Sequence, residues 1–163
     1  MKKQIFTIQG IINETTKNEF KTFLRGTKDN ELIEIYFNCW GGNNFYGKVM
    51  ETYIYYIKKY YPTRRFIHYA DVAASAAFTI FARGHERIIT RKSIIQPHLP
   101  EPNDFGKHVT AAQIAREQVV AIKGITSTLP LVQSADIFKY NDFPFPLEFM
   151  VNKQVVTKVV SKL

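Results

Sequence analysis

Residues 73–77 read Ala73-Ala74-Ser75-Ala76-Ala77. They follow Arg65 to Tyr69, which reads as a strand, and Ala73 to Phe81 reads as a helix of small residues. A nucleophilic serine on a strand-to-helix turn needs small neighbours. They leave its hydroxyl exposed and let the next N–H point at the reacting oxygen, the geometry of a nucleophile elbow. The same five residues also suit a helix that packs closely on its neighbour with Ser75 merely tolerated. Both readings stand at this point.

Working outward, the next break upstream is Phe37-Asn38-Cys39-Trp40-Gly41-Gly42-Asn43-Asn44. Here a strand, Leu32 to Phe37, runs into adjacent glycines and then a helix from about Tyr46 to Tyr60 that Pro62 stops. Glycines there admit unusual backbone dihedrals and let a ligand approach the main chain. Exposed N–H groups on such a turn can stabilise an oxyanion. A tight turn with a purely structural role gives the same sequence.

The rest of the chain alternates in the same way. Gln4 to Ile8 reads as a strand. Thr15 to Leu24 reads as a helix, with Phe20, Phe23 and Leu24 at helical spacing and Asn13 to Thr16 as cap candidates. Arg87 to Thr90 and Ser93 to Ile95 are two short β-branched runs. Thr110 to Leu129 is a long helix closed before Pro130. An aromatic, proline-rich tail from Asp136 to Phe149 leads to a last strand near Gln154 to Val160. Strands alternating with helices argue an α/β fold with a mostly parallel sheet.

The 163 residues, 45% apolar and 22% charged, suit one globular domain over 1–163 and exclude a disordered or collagen-like chain. Net charge is +8, but the basic residues spread from Lys2 to Lys162 rather than cluster. Tyr53, Tyr55, Tyr56, Tyr60 and Tyr61 interleave with Lys58 and Lys59, a pattern that could stack bases. They fall at helical spacing, so a packing face is expected and nucleic acid is not. The single cysteine excludes an intramolecular disulfide framework and a cysteine-rich zinc site. Met1-Lys2-Lys3 opens no signal peptide, and Val72 to Ala82 is too short to cross a bilayer. The expectation is a cytoplasmic protein without membrane contact. The terminal Ser161-Lys162-Leu163 matches a peroxisomal address but is read as chance.

The histidines are His68, His85, His98 and His108. His98 lies at the mouth of a strand between Pro97 and Pro100, well placed for a base. Cys39 is a rival nucleophile, but no helix start stands immediately behind it. No helical His-Glu-x-x-His or Cys-x-x-Cys pattern suggests a metal, and no cofactor is expected.

The order strand, Gly-Gly turn, helix, strand, Ala-Ala-Ser-Ala-Ala helix, β run with histidine and long helix resembles the proteolytic subunit of Clp protease. The resemblance runs from Ile5 to about Val160. The family's Asn-Ser-Pro-Gly-Gly turn stands here as Asn38-Cys39-Trp40-Gly41-Gly42, and its Ala-Ala-Ser element as Ala73-Ala74-Ser75. It implies a ClpP/crotonase-like fold, a stacked β-sheet spiral with flanking helices and one long protruding handle helix. It implies a serine peptidase with Ser75 as nucleophile, His98 as base and Asp136 as third member, Asp142 being the alternative. The oxyanion hole would be the N–H groups of Gly42 and Ala76. A strand edge near Asn43 and Asn44 would pair with an extended peptide by β-addition.

Aligning instead on Gln96-Pro97 puts Ile95 at the base position and implies a non-catalytic scaffold or assembly subunit. The implied partners are a peptide or unfolded-protein substrate and further copies of the chain, with a ring as one form. An ATP-driven unfoldase is left open, because Met1 lies just before the first strand where the family carries an extension. The segment from Leu99 to Gly106 lacks the family's repeated glycines, which leaves stacked rings open too. A coenzyme-A enzyme of the related crotonase fold ranks last, since it does not need the Ala-Ala-Ser elbow.

Overall fold

Ile33, Ile35, Phe37 and Cys39 alternate along one strand and turn to a single face, where all four are buried. Their neighbours Glu34, Tyr36, Asn38 and Trp40 turn to the other. That period-two pattern, repeated along the chain, builds the sheet of this computed structural model, which describes residues 2–29, 31–102 and 109–163. The strands are β1 (Lys3–Ile12), β2 (Leu32–Gly42), β3 (Arg65–Ala74), β4 (Glu86–Gln96) and β5 (Lys158–Val160). They form one five-stranded sheet in the order β1-β2-β3-β4-β5, every neighbouring pair parallel. Each strand adds beside the one before it, so the chain advances in one direction as a spiral does. His108 and the part of the Leu99 to Gly106 segment from Asn103 onward lie outside the described residues.

The helices are α1 (Glu14–Gly26), α2 (Asn44–Tyr60), α3 (Ala76–Ala82), α4 (Ala111–Thr128), α5 (Ser134–Lys139) and α6 (Leu147–Asn152). Asn13 caps α1 through the Thr16 N–H at 3.0 Å, and Thr110 and Gln113 close a capping box on α4. Phe20, Met50, Ile54, Phe78 and Phe81 from the helices meet the inward strand residues in one core. Of α4 only Ile125 is buried. No described helix is long and apolar enough to cross a membrane. The face of the sheet turned away from the helices leaves Ile5 and Trp40 more than half exposed, at 56% and 60%.

Several boundaries differ from the sequence expectations: β2 runs on to Gly42, and the last strand begins only at Lys158. Ala73 and Ala74 finish β3 rather than start a helix, pairing with Ile95 and Gln96. The two runs at residues 87–90 and 93–95 are one strand, because the Ser93 hydroxyl bridges the irregularity between them. It accepts the Thr90 N–H at 2.9 Å and donates to the Ala70 carbonyl at 2.6 Å. The tail from Ser134 onward folds into two short helices, seated by Phe145, which stacks on Phe149 at 4.7 Å and meets Phe78 edge-on at 5.8 Å.

His68 on β3 is fully buried between Phe37 and Phe81. Its Nδ1 lies 2.8 Å from the Phe81 carbonyl, which can only accept, so Nδ1 carries the proton and Nε2 stays unprotonated without a partner among the described residues. Burial drives its pKa down to about 3. His85, whose Nδ1 accepts the Phe66 N–H, falls to about 4, again chiefly by burial. Unfolding therefore takes up protons between the ordinary histidine value and these depressed ones. Stability is full above about pH 6.5 and falls as the pH drops toward 4, with a slope from His68 of about 1.4 kcal/mol per pH unit. Urea unfolding across this window should show about that slope from each histidine, and His68→Gln should remove about half of the total.

Candidate functional site

Ser75 sits between the last residue of β3 and the first of α3, at φ 51° and ψ −126°. A residue with a Cβ rarely adopts a positive φ, and such a position costs of order 1–3 kcal/mol. The turn is held from three sides. The Ser75 N–H donates to the Gln96 carbonyl at 3.1 Å, and the Ser75 carbonyl accepts from Phe78 at 3.0 Å and Thr79 at 3.4 Å. The hydroxyl makes no capping bond to α3. The half-buried Ser75 therefore presents an Oγ not engaged in holding the turn. The N–H of Ala76 opens α3 and has no acceptor within the helix.

Gly41, at φ +111°, lies against this turn. A Cβ built on it would stand 2.8 Å from the Ser75 Cβ, 3.0 Å from the Ala74 carbonyl oxygen and 3.3 Å from the Ala76 nitrogen. Gly42, at φ +143°, presses instead on β1, where a Cβ would lie 2.6 Å from the Ile12 nitrogen. On the other side of Ala76, Gly47 lets α2 approach so closely that a Cβ there would be 2.8 Å from the Ala76 Cβ. Asn43 and Asn44 do not form a strand edge. Asn43 caps α2 through the Tyr46 N–H at 3.2 Å and donates its own N–H to the Ile12 carbonyl at 2.8 Å, and Asn44 is the first helical residue. Asn44 does line a small cleft of about 60 Å³ with Ala76, Thr79, Pro100 and Glu117, between α2, α3 and α4.

Cys39 is fully buried, and its thiol exchanges 3.4 Å hydrogen bonds with Gly41. Burial pushes its pKa up, so the thiolate needed for a nucleophile is disfavoured. His98 lies two residues beyond Gln96, the partner of Ser75. Its Nε2 is 3.1 Å from Glu101 Oε1. Among the described residues no hydrogen bond joins it to Ser75. Ile95, the other candidate for the base position, is a fully buried core residue.

The two aspartates part company. Asp136 accepts the Gln133 N–H at 2.9 Å as part of a capping box and pairs with Lys153 at 3.5 Å, so its carboxylate holds the start of α5 rather than His98. Asp142 has a carboxylate oxygen within 4.8 Å of a His98 ring nitrogen and of a Glu101 oxygen. Asn141 fastens it there, accepting the Leu99 N–H at 2.7 Å and, through its carbonyl, the Gln96 side chain at 3.0 Å. The sequence offered no sign of Glu101, since a carboxylate in a proline-rich loop carries no spacing that marks it.

Gly41→Ala should lower stability by about 1–3 kcal/mol, because the added Cβ meets both the Ser75 side chain and fixed backbone at a positive φ. Gly42→Ala meets the Ile12 backbone and the Ile11 side chain on β1 and should cost at least as much. Urea denaturation of the two variants against the native chain measures both effects.

No protein-family model matches the chain, and no curated protein matches it. Solved structures do. ClpP1 from Listeria monocytogenes superposes with a TM-score of 0.77 at 20% identity, over 98% of this chain and 92% of that one. The catalytic domain of the ClpP protease from Plasmodium falciparum gives 0.78 at 20% identity, over 96% and 85%. Likeness over nearly the whole length of both partners, in a parallel sheet with flanking helices, means that this chain has a ClpP-like fold.

Proposed function

We propose that the chain is a ClpP-type serine peptidase acting on peptides or unfolded segments, with Ser75 as nucleophile. The observation that carries this reading is the positive φ of Ser75 on a strand-to-helix turn, with its hydroxyl not engaged in capping. In the reaction His98 takes the Ser75 proton as Oγ attacks the scissile carbonyl, and later returns a proton to the leaving amine. Asp142 is favoured over Asp136 as the group that orients the His98 ring, because its carboxylate faces that ring. The N–H groups of Ala76 and Gly42 are the oxyanion donors. Gly41 touches the Ser75 turn, and the Gly42 nitrogen follows it by one peptide bond. The cleft beside Ala76 would take the side chain preceding the scissile bond.

A second reading, a non-catalytic scaffold, is favoured by one contact: His98 Nε2 meets Glu101 rather than Ser75. Phosphonylation separates the two. A fluorophosphonate should add once to the native chain and not to Ser75→Ala, and His98→Ala should slow labelling by at least about 100-fold, the usual contribution of a general base. An assembled native chain that takes no label sinks the peptidase reading.

The reading also includes further copies of the chain, in the cytoplasm. Parallel sheets are ordinarily covered on both faces, and here one face carries exposed Ile5 and Trp40. Native mass spectrometry should show an oligomer, and Ile5→Glu should dissociate it. A monomer at micromolar concentration would contradict this.

A further inference from the structure

The geometry points to a divalent transition-metal site formed by His98, Glu101 and Asp142, occupied in competition with the peptidase chemistry of Ser75. One imidazole nitrogen and two carboxylate oxygens lie within 4.8 Å of one another, and the His98–Glu101 pair is already at 3.1 Å. Ligand atoms about 2.1 Å from a zinc ion stand roughly 3 to 4 Å apart. The three donors therefore need at most about 1–2 Å of closure, and the exposed Asp142 side chain can supply it by rotation.

The donor set suits an ion of intermediate softness such as Zn²⁺. Imidazole selects against Mg²⁺ and Ca²⁺, and the absence of thiolate selects against Cu⁺. Three protein ligands leave room for water. The scaffold beneath the cluster is built independently of it. Asn141 pins the Asp142 loop to the strand that ends at Gln96, through the Leu99 N–H at 2.7 Å and the Gln96 amide at 3.0 Å. Asn141 Nδ2 also donates to Asp142 Oδ1 at 3.0 Å. Supports of this kind fix ligand orientation and raise affinity.

Occupancy has a consequence that rests on the peptidase reading. An ion on His98 uses the lone pair that would accept the Ser75 proton, so the metal-bound chain is the inactive one. Release of the ion, by a chelator or by protonation of its ligands, frees the base.

The test uses Co²⁺ as a spectroscopic probe and Zn²⁺ as its competitor. The full-length chain should bind one Co²⁺ with visible d–d absorption that Zn²⁺ abolishes. Glu101→Gln and Asp142→Asn should each weaken binding by at least about tenfold, with melting in EDTA unchanged. Ser75→Ala should bind as the native chain does. No Co²⁺ spectrum at millimolar metal, or equal affinity in the doubly substituted chain, overturns the site. The two readings fail separately. A chain that binds the ion yet takes no fluorophosphonate in EDTA loses the peptidase and keeps the site. A chain that labels equally with and without Zn²⁺ loses the competition.

Discussion

The close approach of the Gly41 main chain to the Ser75 turn is the constraint on which the rest of the site depends. Two parallel strands end side by side, and each must hand its chain to a helix on the same face of the sheet. A side chain at residue 41 would collide with Ser75 and the Ala74 carbonyl. Without it, β3 turns abruptly into α3, and Ser75 takes a positive φ with its hydroxyl making no capping bond to the helix it opens. The cost of that dihedral is met by surrounding bonds, the Ser75 N–H to Gln96 above all. Gln96 in turn ends β4, so three neighbouring strand ends are tied to one residue.

Sheet order explains why the candidate residues gather there. In a parallel sheet all carboxyl ends lie along one edge, and ligands of such sheets sit outside that edge. With β2, β3 and β4 adjacent, the Gly41-Gly42 turn, Ser75 and His98 follow three consecutive strand ends. An antiparallel arrangement would send every second one to the opposite edge. The arrangement also accounts for the fate of Cys39. One step before Gly41 on an inward position of β2, it faces the core, and burial keeps its thiol neutral.

Much of this was legible in the residues. Alternation in Ile33, Ile35 and Phe37, the caps at Asn13 and Thr110, and the small residues around Ser75 each leave a local mark with a local cause. Strand ends were less legible. β2 runs on to Gly42 and β3 to Ala74, because pairing with a neighbour holds glycine and alanine in an extended form that their own propensities do not favour. The tail was least legible. Its two short helices are held by aromatic contacts to distant Phe78, and no periodicity within six residues announces them.

The same distinction governs the acidic residues around His98. Asp136 sits three residues after Gln133 at a helix start, and that spacing describes a capping box as well as it describes a catalytic group. The local demand won, since a carboxylate near a helix N-terminus satisfies an orphan N–H without any help from the fold. Asp142 has no such local partner in the backbone of a helix. Its position follows from Asn141, whose side chain reaches across 42 residues to the Leu99 N–H. A long-range bond of this kind is invisible to spacing, yet it brings a second carboxylate beside Glu101 to one histidine. A histidine between two carboxylates can serve as a base or as a metal ligand, but it has one lone pair with which to do either.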